Sequence, residues 1–276
     1  MSTLRETVKQ ALPPPLLNAA REGRDALARL RDWPQASFHP WRRDTRNRLA
    51  ALQDSRKGER CFIIGNGPSL KQTDLTKLRG EYSMGMNHIY LAFPEMGFPT
   101  TYYLSVNDLV VEQCAQDIQQ LDMPKFVSWR ARKWLQPADD LYFLYTTYTG
   151  PKFARDVRGR LWEGATVTYT ALQVAFFLGF QTVILIGVDH NFVTQGKPNT
   201  TVVSQGDDPN HFSPAYFGKG FRWQLPDLDT SERSYRMARA AYEAAGRQVL
   251  DATVGGKLAV FPKIEYDALF TGFLQE

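Results

Sequence analysis

The sequence predicts an α/β protein: a single Rossmann-like, doubly wound, mostly parallel sheet with a lid segment and an N-terminal helical arm. Three observations predict it. Apolar runs of four to six residues recur from residue 60 onward. A continuous run, unlike an alternating one, suits a strand covered on both faces. The runs alternate with helical patterns, the order that builds right-handed βαβ units. Several runs end on Gly, Asn or Asp, so polar groups collect at one rim of the sheet, where open α/β sheets hold their ligands.

Composition agrees. The chain has 276 residues, 43% of them hydrophobic, enough for a large core. Aromatics reach 13%, which argues against disorder. No run of eighteen apolar residues occurs, so no membrane span is expected. The opening MSTLRETVKQ has no apolar stretch behind it, and the two cysteines, Cys61 and Cys114, form neither a disulfide framework nor a metal spacing. A cytoplasmic protein is the expectation.

Residues 1–58 read as an arm. Pro13-Pro14-Pro15 breaks an opening helix. Leu16, Leu17, Ala20, Ala26, Leu27 and Leu30 then repeat at helical spacing up to Pro34, which is expected to end the helix, and residues 45–59 read as a second short one. Residues 1–60 hold thirteen Lys/Arg against seven Asp/Glu, a surplus of six in a chain of net charge +4. This arm reads either as a solvated face laced with i,i+4 ion pairs or as a contact to anionic lipid or an acidic partner, peripheral on the cytoplasmic face of a membrane.

The domain proper is expected over 59–276. RCFIIG, EYSMGMN, TTYYLSVN and PKFVSW read as successive strands, with DLYFLYT as another. DLVVEQCAQDIQQL is helical by pattern, and ATVTYTALQVAFFLGF is an apolar helix stopped at Gly179. TVILIGVDH is the most strand-like run. Residues 190–227, rich in Gly, Pro, Asn and Asp yet carrying six aromatics, read as a lid. Residues 230–248 form a helix capped by Thr230 or Ser231 and closed by Gly246, and VLDATVGG reads as the last strand.

At the rim, the first strand delivers Gly65-Asn66-Gly67-Pro68-Ser69, the second Asn87-His88, the third Asn107-Asp108, and the strongest run Gly187-Val188-Asp189-His190. Three of these offer an Asn, whose amide both donates and accepts without charge and suits ribose, base or sugar. The glycines let backbone N–H groups approach a phosphate, or simply make the bend a buried strand needs. The turn is neither G-x-G-x-x-G nor a P-loop, since no third Gly and no Gly-Lys-Ser/Thr follows. His88 reads as a core residue. His211, in the lid, reads as a general base assembled on closure, and Lys197, Lys219 and Arg222 read as lid cations for a phosphate or as ordinary surface charge.

FIIGNGPSL, MNHIYL, SVNDL, TVTYTALQVAFFLGFQTVILIGVDHNF and DPNHF…YFGKG resemble a bacterial family of 6-hydroxymethylpterin diphosphokinase-like proteins over about residues 58–270. The same order of motifs resembles the bacterial sialyltransferases that decorate lipooligosaccharide, in which a Rossmann-like domain carries a lid. The match runs through Gly65 to Lys71, Asn87, Asn107, Leu178-Gly179-Phe180 and Gly187-Val188-Asp189. This resemblance implies that Asn66, Ser69, Asn87 and Asn107 contact a CMP-linked sugar donor and that His211 is the base. It also departs from the pattern: Gly164-Ala165-Thr166-Val167 stands where the sialyltransferases have Arg-x-Thr-Ser, and His190-Asn191 where they have a Tyr.

The expectation is an inverting, metal-independent glycosyltransferase with a nucleotide-sugar donor and a glycan or small hydroxyl acceptor, acting in surface-glycan synthesis. Gly65, Asn66, Gly67, Ser69, Asn87, Asn107, Asp108, Thr166, Asp189 and His190 are the donor-binding candidates. His211, Tyr216 and Lys219 are the catalytic ones. No metal or cofactor is expected, nor a nucleic-acid partner, and a homo-oligomer stays open. One alternative is a diphosphokinase, which needs Mg²⁺ on clustered carboxylates, whereas Ser105-Val106-Asn107-Asp108 supplies one. Another is a non-catalytic nucleotide-binding module with the arm as its partner helix.

Overall fold

The run Arg60–Ile64 forms β1 near the middle of an eight-stranded sheet in the computed structural model, which describes residues 14–148, 150–193 and 196–271. The other strands are β2 (Tyr82–Met86), β3 (Tyr102–Ser105), β4 (Lys125–Ser128), β5 (Leu141–Thr147), β6 (Arg160–Trp162), β7 (Thr182–Ile186) and β10 (Gln248–Asp251). The order is β10-β7-β1-β2-β3-β4-β5-β6, with every pairing parallel. The chain steps outward on one side of β1 as far as β6, then returns to its other side with β7 and β10. The strand ends of β1 and β7 therefore part at the topological switch point, where a crevice opens.

Both faces are covered, which is why the strands read as unbroken apolar runs. Cys61 and Ile63 pack with Leu172, Phe176 and Tyr242 on one face, and Phe62 and Ile64 pack with Ile89, Val110 and Phe217 on the other. The first face carries α5 (Val167–Leu178) and α6 (Leu228–Glu243). Every residue of α5 from Thr168 to Leu178 is buried, so this helix is apolar around its whole circumference. Its buried Gln173 is satisfied, donating to Trp162 O at 2.7 Å and Tyr169 O at 3.0 Å. Gly179 ends the helix at φ +100°, as the sequence indicates.

The helices that open the chain, α1 (Pro14–Phe38) and α2 (Pro40–Leu52), differ from the expected pair. α1 runs through Pro34. Ala36 is buried in the second core and Gln35 accepts from Arg132 at 2.9 Å, so tertiary packing outweighs the one backbone bond that proline forfeits. α2 lies along the sheet. β6 pairs with only the last three residues of β5, leaving the start of β5 an open edge. α2 closes that edge with residues three apart: Thr45 Oγ1 accepts from Phe143 N at 3.3 Å, and Arg48 donates to Asp139 O at 2.6 Å and Leu141 O at 2.9 Å. Arg42 donates to Arg158 O at 2.6 Å. An edge strand left bare would pair with other chains. The opening helix expected before Pro13 lies outside the described residues.

Other boundaries shift for local reasons. The helix expected over 108–121 is two pieces, α3 (Asp108–Gln113) and α4 (Ala115–Gln120), broken at Cys114. α6 is capped by Asp227, whose side chain accepts from Thr230 N at 3.0 Å, so neither Thr230 nor Ser231 is the cap. The last strand stops at Asp251. Inside the lid, β8 (Thr201–Val203) and β9 (Arg222–Gln224) pair antiparallel, and Tyr216, Phe217 and the β9 residue Trp223 are buried. Among the described residues no helix is long and apolar enough to cross a membrane.

Candidate active site at the sheet switch point

At the switch point, the Gly65 amide donates to Ile186 O at 2.8 Å and the Gly67 amide to Gly187 O at 2.9 Å. The expectation that these amides meet a phosphate is therefore corrected: the carbonyls at the end of β7 have taken them. The glycines serve close approach instead. A Cβ on Gly65 would lie 2.2 Å from Gly187 O, and one on Gly67 would lie 1.7 Å from Asp189 Oδ2. Asp189 reaches across, accepting from Ser69 N at 3.1 Å and from Ser69 Oγ at 2.7 Å. Burial pushes the Asp189 carboxyl up, and the two Ser69 hydrogen bonds oppose the shift.

Asn66 behaves differently. It is 8% exposed, its Nδ2 donates to Met86 O at 3.1 Å, and its Oδ1 has no partner. A buried acceptor left open costs free energy until something donates to it. Asn66 lines a cavity of about 220 Å³, which adjoins a second of about 530 Å³; Asn87, Asn107 and Thr166 line both. Asn107 caps α3 through its Oδ1, accepting from Leu109 N at 2.9 Å, and its NH₂ has no partner among the described residues. Thr166 caps α5, so the positive end of that buried helix faces the cleft.

Asn87 is held internally. It sits at φ +51°, and its Oδ1 accepts from Ser105 Oγ at 3.0 Å. Asp108 is bound by Arg130, whose Nε lies 2.9 Å from both carboxylate oxygens and whose Nη2 donates to Glu163 at 2.7 Å. Burial works against the Arg130 charge, but Glu163 and Asp108 overcome it and hold its proton more tightly than usual. Among the described residues no group of three or more His, Cys, Asp or Glu is placed to hold a metal ion. His190, at φ +52°, lines the first cavity, and burial lowers its proton affinity against the pull of Glu232.

The lid is docked over this rim. Phe212 N donates to Asn66 O at 2.9 Å. His211 lines the cavity, stacked on the Tyr216 ring with centroids 3.9 Å apart and planes 7° from parallel. Its Nδ1 lies 2.6 Å from Asp208 Oδ2, and the Asp208 side chain is 3% exposed. A carboxylate there holds the Nδ1 proton and leaves Nε2 as the basic nitrogen for the cleft. Asp208 is the residue that sequence reasoning missed. The available signal was its spacing three residues before a histidine, in the quoted run DPNHF.

Two other lid expectations change. Lys219 is exposed on the outer turn and lines neither cavity; Arg222 is engaged with Glu112 at 2.9 Å. Tyr216 lines the cavity, but burial pushes its hydroxyl well above the ordinary value, with hydrogen bonds from the His88 backbone and the Asn87 side chain opposing. It is a stacking platform for His211 and no ready proton donor.

His88 is buried beneath the lid, with Nε2 2.7 Å from Cys114 Sγ, and burial pushes its pKa down to about 4. The unfolded chain takes up this proton near pH 6.5 and the folded one only near 4. The stability tied to neutral His88 is complete above pH 6.5 and lost as the pH falls toward 4. The full loss is about 3 kcal/mol. Urea unfolding at pH 7 and pH 4.5 checks this: His88→Gln should lose distinctly less stability on acidification than the parent, and an equal loss refutes it.

In comparisons with known proteins, no family model matches the sequence and no curated protein matches it. The resemblance to the diphosphokinase-like family therefore has no counterpart there. Among solved structures the chain is similar to the Maf glycosyltransferase from Magnetospirillum magneticum AMB-1, at 15% identity and a TM-score of 0.47, over 94% of this chain and 43% of that one. It is also similar to the sialyltransferase CstII from Campylobacter jejuni in complex with a substrate analogue, cytidine-5'-monophosphate, at 14% identity and a TM-score of 0.42, over 75% of this chain and 85% of that one. The chain spans less than half the length of the magnetospirillar protein. Both neighbours are glycosyltransferases, and at these identities the likeness is one of fold.

Proposed function

We propose that this chain is a glycosyltransferase that moves a sugar from a nucleotide-activated donor, CMP-linked in the first instance, to an acceptor hydroxyl in one inverting, metal-independent displacement. The observation that carries the reading is the Asp208–His211 pair, which sets a basic nitrogen over a cleft floored by the β1–β7 switch point. In the displacement, the acceptor oxygen bonds to the anomeric carbon as that carbon's bond to the phosphate oxygen breaks. The acceptor proton passes to His211 Nε2 and the electron pair leaves with the nucleotide phosphate. The open Asn66 Oδ1 accepts from a donor hydroxyl or amine, Asn107 NH₂ donates to the donor, and the α5 N-terminus faces the phosphate. The two adjoining cavities give room for donor and acceptor side by side.

Calorimetry with CMP, CDP, UDP, GDP and ATP tests this. CMP is expected to bind without Mg²⁺, and Asn66→Ala to weaken it about tenfold, the worth of one good hydrogen bond. Binding of ATP that requires Mg²⁺, with no response to CMP, overturns the reading in favour of a pyrophosphokinase.

A further inference from the structure

Outside the cleft, α1 carries an apolar stripe in water. Leu27, Leu30 and Trp33, three residues apart, are 66%, 67% and 52% exposed. That spacing puts them on one side of the helix. Beside them, α1, α2 and the edge formed by β5 and β6 enclose a groove of about 560 Å³. Arg29, Arg42, Arg46, Arg158 and Arg160 line it, with Leu30 and Trp33 at its rim, and among the described residues no Asp or Glu lines it. Asp156, held by Arg158 at 2.8 Å, also pulls on Arg42 and Arg46 from outside the groove lining, and Asp32 acts on Tyr145 at the groove wall and on Arg132.

Arg42 is the member of this cluster whose donors are left open. Arg42 is 1% exposed; its Nη2 donates to Arg158 O and Gly159 O, while its Nε and Nη1 have no partner. Burial first, then the neighbouring Arg46, loosens its proton, and burial with Arg29 does the same to Arg160. Buried donors beside like charges are costly unless an anion completes them. A phosphate offers the acceptor oxygens that such guanidiniums match. The adjoining stripe of large apolar side chains says that the anion carries a hydrocarbon chain.

We propose that this groove binds a membrane lipid with a phosphate headgroup, the phosphate on Arg42, Arg46 and Arg160 and the apolar chain along Leu27, Leu30 and Trp33. α1 then lies in the membrane interface with its apolar stripe inward, as a basic amphipathic helix does. The inference is independent of the reading of the cleft.

Co-sedimentation of the full chain tests it, using phosphatidylcholine vesicles with and without 30 mol% phosphatidic acid. The chain is expected to sediment with the acidic vesicles only. Arg46→Gln with Arg160→Gln should weaken binding about twenty-five-fold, from about fivefold per charge at the surface. Leu30→Ser with Trp33→Ser should also abolish most of it. Removing two charges elsewhere, with Arg236→Gln and Arg239→Gln on α6, should change it less than twofold. The proposal is overturned if neutral vesicles bind equally, if the α6 variant loses as much as the groove variant, or if inorganic phosphate at millimolar concentration displaces the chain and the Leu30/Trp33 variant still binds. That last result identifies the groove as a site for free phosphate. All four substituted groove positions are exposed or half-exposed, so the variants keep their fold.

Discussion

His211→Ala is expected to lower kcat by about 10²–10⁴-fold, the range a positioned general base contributes. CMP affinity should stay within about twofold, because the donor contacts lie on the strand ends and helix tip while His211 belongs to the lid. The measurement is CMP release from a CMP-linked sugar with a simple glycoside as acceptor, alongside calorimetry with CMP. His211→Gln keeps a planar group over the Tyr216 ring and serves as the shape control; it should be as inactive as the alanine variant. Asp208→Asn should show a loss of similar order for a different reason. An amide can donate to Nδ1, which moves the ring proton to Nε2 and leaves nothing to accept the acceptor's proton. Asp208 Oδ1 also accepts from Asn210 N at 2.8 Å, so thermal melts should accompany the kinetics to separate lid order from base strength. A His211→Ala enzyme that keeps more than half its kcat removes His211 from the chemistry.

Gly65→Ala is expected to destabilise the fold by about 3 kcal/mol, the upper part of the range for overpacking a well-filled core. The added Cβ would meet Gly187 O at 2.2 Å and Gly187 C at 2.7 Å, both backbone atoms. Neither side can yield cheaply, since the Gly65 amide is bound to Ile186 O and β1 is paired with strands on both edges. At roughly 2–4 °C per kcal/mol for a chain of this size class, the melting temperature should fall by about 6–12 °C. Gly206→Ala, where a Cβ would meet nothing within 4 Å, is the control and should leave the melt unchanged. A Gly65→Ala protein that melts with the parent would show that the strand ends at the switch point can move apart at little cost, contrary to the packing described here.

The two halves of the Gly-rich turn now have separate explanations. Gly65 and Gly67 are there because β1 and β7 must pass within contact of each other before they part. Asn66, between them, is the residue with an open polar atom. The sequence displayed all three together and offered no way to separate a structural glycine from a ligand-facing amide. The difference lies in which atoms β7 uses, and β7 is more than a hundred residues further along the chain.

The arm shows the same division. Helical periodicity was legible, and so was the surplus of basic residues. Where those residues go was not. Arg48 closes the bare edge of β5 through a carbonyl 91 residues away, and Arg42 holds the turn before β6 through one 116 residues away. Arg46, one turn from Arg42, lines the groove beside it. A count of charges assigns all of them to one solvated face.

What the sequence determined by itself is the order of strands and helices, the coverage of both sheet faces, the Gly179 stop and the rim on which polar residues gather. These follow from side-chain periodicity and from backbone preferences that act within a few residues. Tertiary structure alone decided that Asp208 orients His211, that Asp189 is committed to Ser69, that Lys219 stands outside, and that an arginine groove forms beside α1. Each depends on which donor meets which acceptor once distant segments pack. Local spacing carries no information about that, because hydrogen bonds and ion pairs are fixed by distances of about 3 Å in the folded chain.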